Sequence, residues 1–112
     1  MSEDEVPVLS REIDRLLAAA GKADAAALYL KPGEPPVVRT RGRLVTMRLP
    51  ELTSTGIETM AREIMGAEEE QTLTKFSATV FLHEIPQVGR FRISVYQRSA
   101  GFLLTARCLR ED

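Results

Sequence analysis

Five arginines, Arg90, Arg92, Arg98, Arg107 and Arg110, are concentrated near the end of this sequence, and their spacing is regular. Phe91, Ile93 and Val95 alternate with Arg90, Arg92, Ser94 and Tyr96, so an extended segment here is apolar on one face and cationic on the other. A second run alternates Phe102, Leu104, Ala106 and Cys108 with Leu103, Thr105, Arg107 and Leu109. Between them, Arg98-Ser99-Ala100-Gly101 supplies a small, glycine-bearing turn that returns the chain antiparallel. Arg92 and Arg107 then point from the same neighbourhood of one sheet. Two forked guanidiniums side by side suit a phosphate, a carboxylate or the acidic surface of a partner. The same pattern fits an outer sheet face whose long side chains reach water. Spacing alone leaves both readings open.

Other chemistries lack their residues. No segment matches the phosphate-cradling patterns G-x-x-x-x-G-K-[ST] or G-x-G-x-x-G. The single histidine, His83, and the single cysteine, Cys108, lie far apart, with no further ligand at zinc spacing. Nucleophilic catalysis needs Ser or Cys beside a base, and no nucleophile elbow surrounds His83. Cys108 alternates with core positions and reads as a small buried hydrophobe; His83 reads as a satisfied strand residue. The acids Glu3, Asp4 and Glu5 fall in the N-terminal segment, and Glu68, Glu69 and Glu70 fall at a helix start, so neither group makes a pocket. The expectation is a chain with no catalytic residues, no metal and no cofactor of its own.

The elements that must position the arginines follow from periodicity. Residues 1–8 are acidic and aperiodic and are expected to form a mobile tail, followed by one domain over 9–112. Ser10 is a candidate N-cap for a helix carrying Ile13, Leu16, Leu17 and Ala20, with Gly21 as its C′ residue. Ala25 to Leu30 is a short apolar run ended by Lys31-Pro32-Gly33-Glu34-Pro35-Pro36, a turn. Val37 to Thr40 and Leu44 to Met47 form a hairpin about Arg41-Gly42-Arg43, with Gly42 at the special backbone position. Thr55 with Glu58 fits a capping box for the next helix, and Thr53 competes as its N-cap. Ile57, Met60, Ala61, Ile64 and Met65 form its apolar face, and Gly66 stops or kinks it. A shorter helix begins with Glu68 to Glu70, where acids suit the macrodipole, and is anchored by Leu73 and Phe76. In the extended stretch from Thr79 to Ile85, Val80 and Leu82 share one face and Phe81, His83 and Ile85 the other. Pro86 to Gly89 turns into the arginine-bearing strand. Helix, strands, helices and strands in that order give an α+β fold with an antiparallel sheet of about five or six strands, its helices mainly on one face.

The chain has 112 residues, 44% of them hydrophobic, enough for one core. A formal net charge of −1 provides no global attraction to nucleic acid or to a membrane surface. No apolar run approaches the roughly 20 residues of a membrane span, and the acidic start is unlike a targeting sequence. A cytoplasmic location is expected. Charge is nevertheless uneven, with Lys31, Arg39, Arg41, Arg43 and Arg48 on one side and Glu68, Glu69 and Glu70 on the other. These are solvated faces or, alternatively, the two sides of a head-to-tail contact between copies.

The stretch Ile85-Pro86-Gln87-Val88-Gly89-Arg90-Phe91-Arg92-Ile93-Ser94-Val95-Tyr96-Gln97-Arg98, followed by a glycine and a strand bearing Arg107, resembles the N-terminal domain of type IV pilus retraction ATPases of the secretion ATPase superfamily. Leu28-Tyr29-Leu30, Gly33 to Arg39 and Gly42-Arg43-Leu44 are similar to the first strands of that domain, and Leu49 to Thr53 with Ile64-Met65 to its middle helix. The resemblance runs over roughly residues 9–110. It implies a PAS-like domain that stands ahead of a RecA-like motor domain and packs on a neighbouring subunit's motor domain. It also implies that Arg92 and Arg107 approach nucleotide phosphates held there. Two departures accompany it. The Walker motifs are absent from these 112 residues, so ATP would enter only through a partner motor domain. Where the family has Ser-Asp-Leu-His-Leu, this chain has Ala26-Ala27-Leu28-Tyr29-Leu30, and Val80 replaces a usual acid. The resulting expectation is a non-catalytic regulatory or adaptor domain that binds a pilus or secretion motor ATPase, another pilus-system protein or itself. The alternatives are the N-terminal part of a complete retraction motor and a PAS-like sensor of an anionic small ligand.

Overall fold

The computed structural model describes residues 11–109. The expected tail over 1–8, the Ser10 cap and Arg110 lie outside the described residues. In chain order the elements are α1 (Glu12–Lys22), β1 (Ala27–Leu30), β2 (Val37–Thr40), β3 (Arg43–Thr46), α2 (Ser54–Ile64), α3 (Ala67–Phe76), β4 (Ala78–Ile85), β5 (Gly89–Arg98) and β6 (Gly101–Leu109). The six strands form one open sheet in the order β3-β2-β1-β6-β5-β4, with every neighbouring pair antiparallel. This is the α+β architecture that the sequence implied.

Strand alternation decides which face is buried. Leu28, Leu30, Phe91, Ile93, Val95, Phe102, Leu104 and Ala106 all point into one core. The helices meet them there with Ile13, Leu16, Leu17 and Ala20 from α1, Ile57, Met60 and Ala61 from α2, and Leu73 from α3. Fully burying one such aliphatic side chain contributes roughly 1.5–3 kcal/mol. Among the described residues no helix covers the opposite face, whose central strands β5 and β6 present mainly Arg, Ser, Thr and Tyr there, with aliphatic side chains toward the edges.

The helix ends differ in places from the sequence expectation. Gly21 lies inside α1, and the left-handed residue after the helix is Asp24, at φ 59°. The N–H of Asp24 bonds to the carbonyl of Gly21 and that of Ala25 to Ala20, which makes a Schellman ending. Asp tolerates the left-handed conformation better than most residues, so the chain did not need a glycine there. At α2, Thr53 is the N-cap, its Oγ1 accepting from the N–H of Gly56 at 2.9 Å. Thr55 lies inside the helix, where its carbonyl accepts from Thr59 Oγ1. Gly66 separates α2 from α3 and is held by Glu69, whose Oε1 accepts its N–H at 2.8 Å. Phe76 is not an anchor: it is 65% exposed, with Lys75 Nζ 5.4 Å from its ring centroid. The β2–β3 hairpin turns through Arg41 and Gly42, both with positive φ, as a two-residue turn of this hand requires.

The arginine hairpin is tied to the helical layer at its tip. Ser54 Oγ accepts the N–H of Phe102 at 3.0 Å, and a Cβ placed on Gly101 would lie 2.6 Å from that oxygen. Gly101, at φ 125°, is therefore the residue that lets the β5–β6 turn and the start of α2 meet.

Candidate anion- or partner-binding face

Register places the candidate residues. Arg92 is directly opposite Arg107 across β5 and β6, and Arg107 is opposite Ala27 of β1. Ala27 is in turn opposite Arg39 of β2, and Arg92 is opposite Leu82 of β4. Residues in register share a face, so a single row, Arg39–Ala27–Arg107–Arg92–Leu82, crosses the open side of the sheet. The next row on the same face is Val37–Tyr29–Thr105–Ser94–Val80. Together with Tyr96, these rows floor an open cleft of about 320 Å³, lined by Ala27, Tyr29, Arg92, Ser94, Tyr96, Thr105, Ala106 and Arg107.

Every polar side chain lining this cleft can donate a hydrogen bond, and none is a carboxylate. Arg92 and Arg107 are exposed, and neither forms an ion pair with any described residue. Like charges directly opposite on a sheet destabilise it, by a few tenths to about 1 kcal/mol. The arrangement is therefore poor for the isolated sheet and suited to an incoming group rich in acceptors. Arg39 is oriented toward the same face by Tyr29, whose hydroxyl accepts from its Nε at 3.1 Å, with the guanidinium carbon 5.8 Å from the ring centroid.

The remaining predicted residues are distributed differently. Arg90 lies one row further along the open face, opposite Glu84 and Leu109. Arg41 occupies the hairpin turn, and Arg43 is opposite Thr40, on the other side of β2 from Arg39. The basic hairpin thus splits, and only Arg39 joins the row. Among the acids, Glu69 caps α3, and Glu70 pairs with Arg62, which also holds Glu58 through its Nε at 2.9 Å. These two hydrogen bonds, Glu58 first and Glu70 next, raise the Arg62 pKa further above its ordinary value. Glu68 remains exposed at the start of α3.

His83 faces the helices, its Nε2 2.7 Å from Asp14 Oδ1, and both side chains are mostly buried. Its partner comes from α1, 69 residues away, so nothing in the local sequence announces the pair. Cys108 is half-buried rather than fully buried as its alternation with core positions implied. No group of His, Cys, Asp and Glu that could hold a metal ion occurs among the described residues.

The open antiparallel sheet with helices on one face is a fold shared with part of two solved motor ATPases. Over 90 residues the chain is 31% identical to the type IV pilus retraction ATPase PilT of Pseudomonas aeruginosa, matching its N-terminal region. That match covers 80% of this chain and 26% of the relative. The crystal structure of the pilus retraction motor PilT with bound ADP superposes with a TM-score of 0.80 at 24% identity, over 93% of this chain and 30% of that one. The ATPase DotB of Legionella pneumophila superposes at 0.73 and 20% identity, over 94% of this chain and 31% of that one. At those identities the superpositions establish a common fold. The chain spans about a quarter to a third of the length of the proteins it matches. No family model matches it.

Proposed function

We propose that this chain is a non-catalytic regulatory or adaptor domain of a type IV pilus or related secretion motor. It acts from the cytoplasm through protein–protein contact, with the open arginine face as its docking surface. The observation that carries this reading is the direct opposition of Arg92 and Arg107, with no carboxylate opposite either of them among the described residues. The likeness to PilT supports the motor context. An acidic surface of a motor domain, or the phosphates of a nucleotide held there, would complete the face, since charge-assisted bonds to forked guanidiniums are stronger than neutral ones.

The test is to mix the purified chain with a pilus retraction ATPase and measure association and ATP turnover. Binding that Arg92→Ala weakens, with altered turnover, is the expected result. The absence of both association and any effect on turnover overturns the reading.

A second reading, the N-terminal part of a complete retraction motor, is favoured by the share of PilT that the chain matches. A Walker motif downstream in the same reading frame would select it, and a stop codon after Asp112 would exclude it. The cleft also admits a free anionic ligand. Titration calorimetry with ATP and cyclic dinucleotides, repeated on Arg92→Ala, separates that case from docking on a protein.

A further inference from the structure

The two edges of the sheet are built differently. At one edge β3 is only four residues long, carries Arg43, and is followed closely by Arg48 and Pro50. Short length, charge and proline are the devices that keep an edge strand from pairing with another chain. At the other edge β4 runs for eight residues and pairs with β5 without a bulge or skipped position, from Ala78 opposite Tyr96 to Ile85 opposite Gly89. It contains no proline, lysine or arginine that would block pairing; Glu84 is its one acid, and His83 is engaged with Asp14 on the helical face. Among the described residues, no strand lies on its outer side. Val80 and Leu82, adjacent positions on its open face, are 57% and 62% exposed. A long, regular, apolar edge of this kind is a template for a further strand.

We propose that β4 pairs antiparallel with β4 of a second copy of this chain, about a two-fold axis at Phe81, to form a continuous twelve-stranded sheet from two six-stranded ones. The register follows from self-complementarity. With the axis at Phe81, Val80 lies opposite Leu82 of the second copy, and the reverse pair forms by symmetry. All four exposed aliphatic side chains then meet on one face. Thr79 falls opposite the second copy's His83 on the helical face, and Glu84 opposite Ala78, so no like charges oppose. Moving the axis by one residue, to Leu82, keeps only the Leu82–Leu82 pair, puts each Val80 opposite Glu84 and Ala78 opposite Pro86, and so places a proline in the ladder. In the paired form the two arginine rows lie on the same side of one sheet. Arg107 is two strands away from the axis and takes no part in the contact.

The experiment uses the full chain. Light scattering coupled to size exclusion, and sedimentation equilibrium from about 1 μM to about 1 mM, should show a monomer–dimer equilibrium. Leu82→Lys, at an exposed position, should weaken self-association roughly tenfold or more while leaving the circular dichroism spectrum and melting temperature near those of the parent chain. Arg107→Ala should leave association unchanged, which separates this contact from the docking face proposed above. The register is read in a Cys108→Ser background. Val80→Cys and Leu82→Cys chains should form a disulfide when mixed under mild oxidation, and far less when either is oxidised alone. A chain that stays monomeric throughout the range overturns the proposal. So does a dimer indifferent to Leu82→Lys, or cross-linking of either cysteine variant alone that matches or exceeds the mixture.

Discussion

If Arg92 and Arg107 are kept for an external anion, the isolated domain should be more stable without one of them. Arg107→Gln retains most of the side-chain stem and hydrogen-bond donors and removes the charge. Side chains directly opposite on neighbouring antiparallel strands start about 4.5–5.5 Å apart, and two unit charges about 5 Å apart repel by about 0.8 kcal/mol at the dielectric constant of water. Flexible guanidiniums splay apart, so a net gain of about 0.5 kcal/mol is expected for the variant, or about 2–4 °C in melting temperature. The gain is electrostatic and must shrink with salt, because the screening length falls from about 30 Å at 0.01 M to about 3 Å at 1 M. Urea unfolding of both proteins at low and at molar sodium chloride measures it. Pyrophosphate should then reverse the order, stabilising the parent chain more than the variant, because a ligand stabilises the folded form it binds. A variant that is less stable than the parent at low salt, or whose advantage grows with salt, would refute the reasoning.

Three other substitutions probe the scaffold that presents the row. Asp14→Ala leaves His83 without its partner in a mostly buried site and should cost about 1–3 kcal/mol by urea unfolding. Gly101→Ala forces a methyl group to within 2.8 Å of both Ser54 Cβ and Oγ at a φ of 125°; a loss of about 2 kcal/mol or more is expected, and Ser54→Ala should restore little of it, because the Cβ contact and the backbone strain remain. Thr53→Ala removes the N-cap of α2 and should lower stability by about 1 kcal/mol, whereas Thr55→Ala should have a smaller effect, which separates the two candidate caps.

What was legible in the sequence was whatever a two-residue or helical period encodes. The alternation from Arg90 to Tyr96 and from Phe102 to Leu109 identified both strands, their inner and outer faces, and the neighbourhood of Arg92 and Arg107. The turn at Arg41-Gly42 was readable because a two-residue hairpin of that hand needs positive φ, which Gly42 tolerates. What was not legible depended on strand order. Proximity in the chain groups Arg39 with Arg41 and Arg43. Arg39 joins Arg107 only because β1 lies between β2 and β6 and offers Ala27 at the intervening position. The His83–Asp14 pair joins elements far apart in sequence, which no local pattern predicts. Helix ends are ambiguous in sequence where two capping solutions are chemically close: Thr53 and Thr55 both fit the start of α2, and Gly21 looks like the C′ residue of α1 where Asp24 takes that place.

The partners of each arginine argue that the row is kept for something outside the chain. Two residues along the same strand, Arg90 has an acid opposite it in register, Glu84. At Arg92 the corresponding neighbour is Leu82, and on the other side it is Arg107; at Arg107 the far neighbour is Ala27. A face that only needed to be soluble could carry alternating signs, as the Arg62–Glu58–Glu70 cluster does on α2 and α3. Instead the two opposed guanidiniums have a methyl group and an aliphatic side chain at the ends of their own row and a row of hydroxyls on one side; the nearest acid, Glu84, lies in the other neighbouring row, opposite Arg90. Ala27 does more than avoid a charge. A longer side chain there would stand between Arg107 and the Tyr29-held Arg39, whereas a methyl leaves the space between them open to a ligand or a partner side chain. Ala27→Glu should therefore abolish docking through this face by placing a carboxylate between the two arginines, while raising the stability of the free domain. A variant that docks as tightly as the parent would show that the row is not the contact.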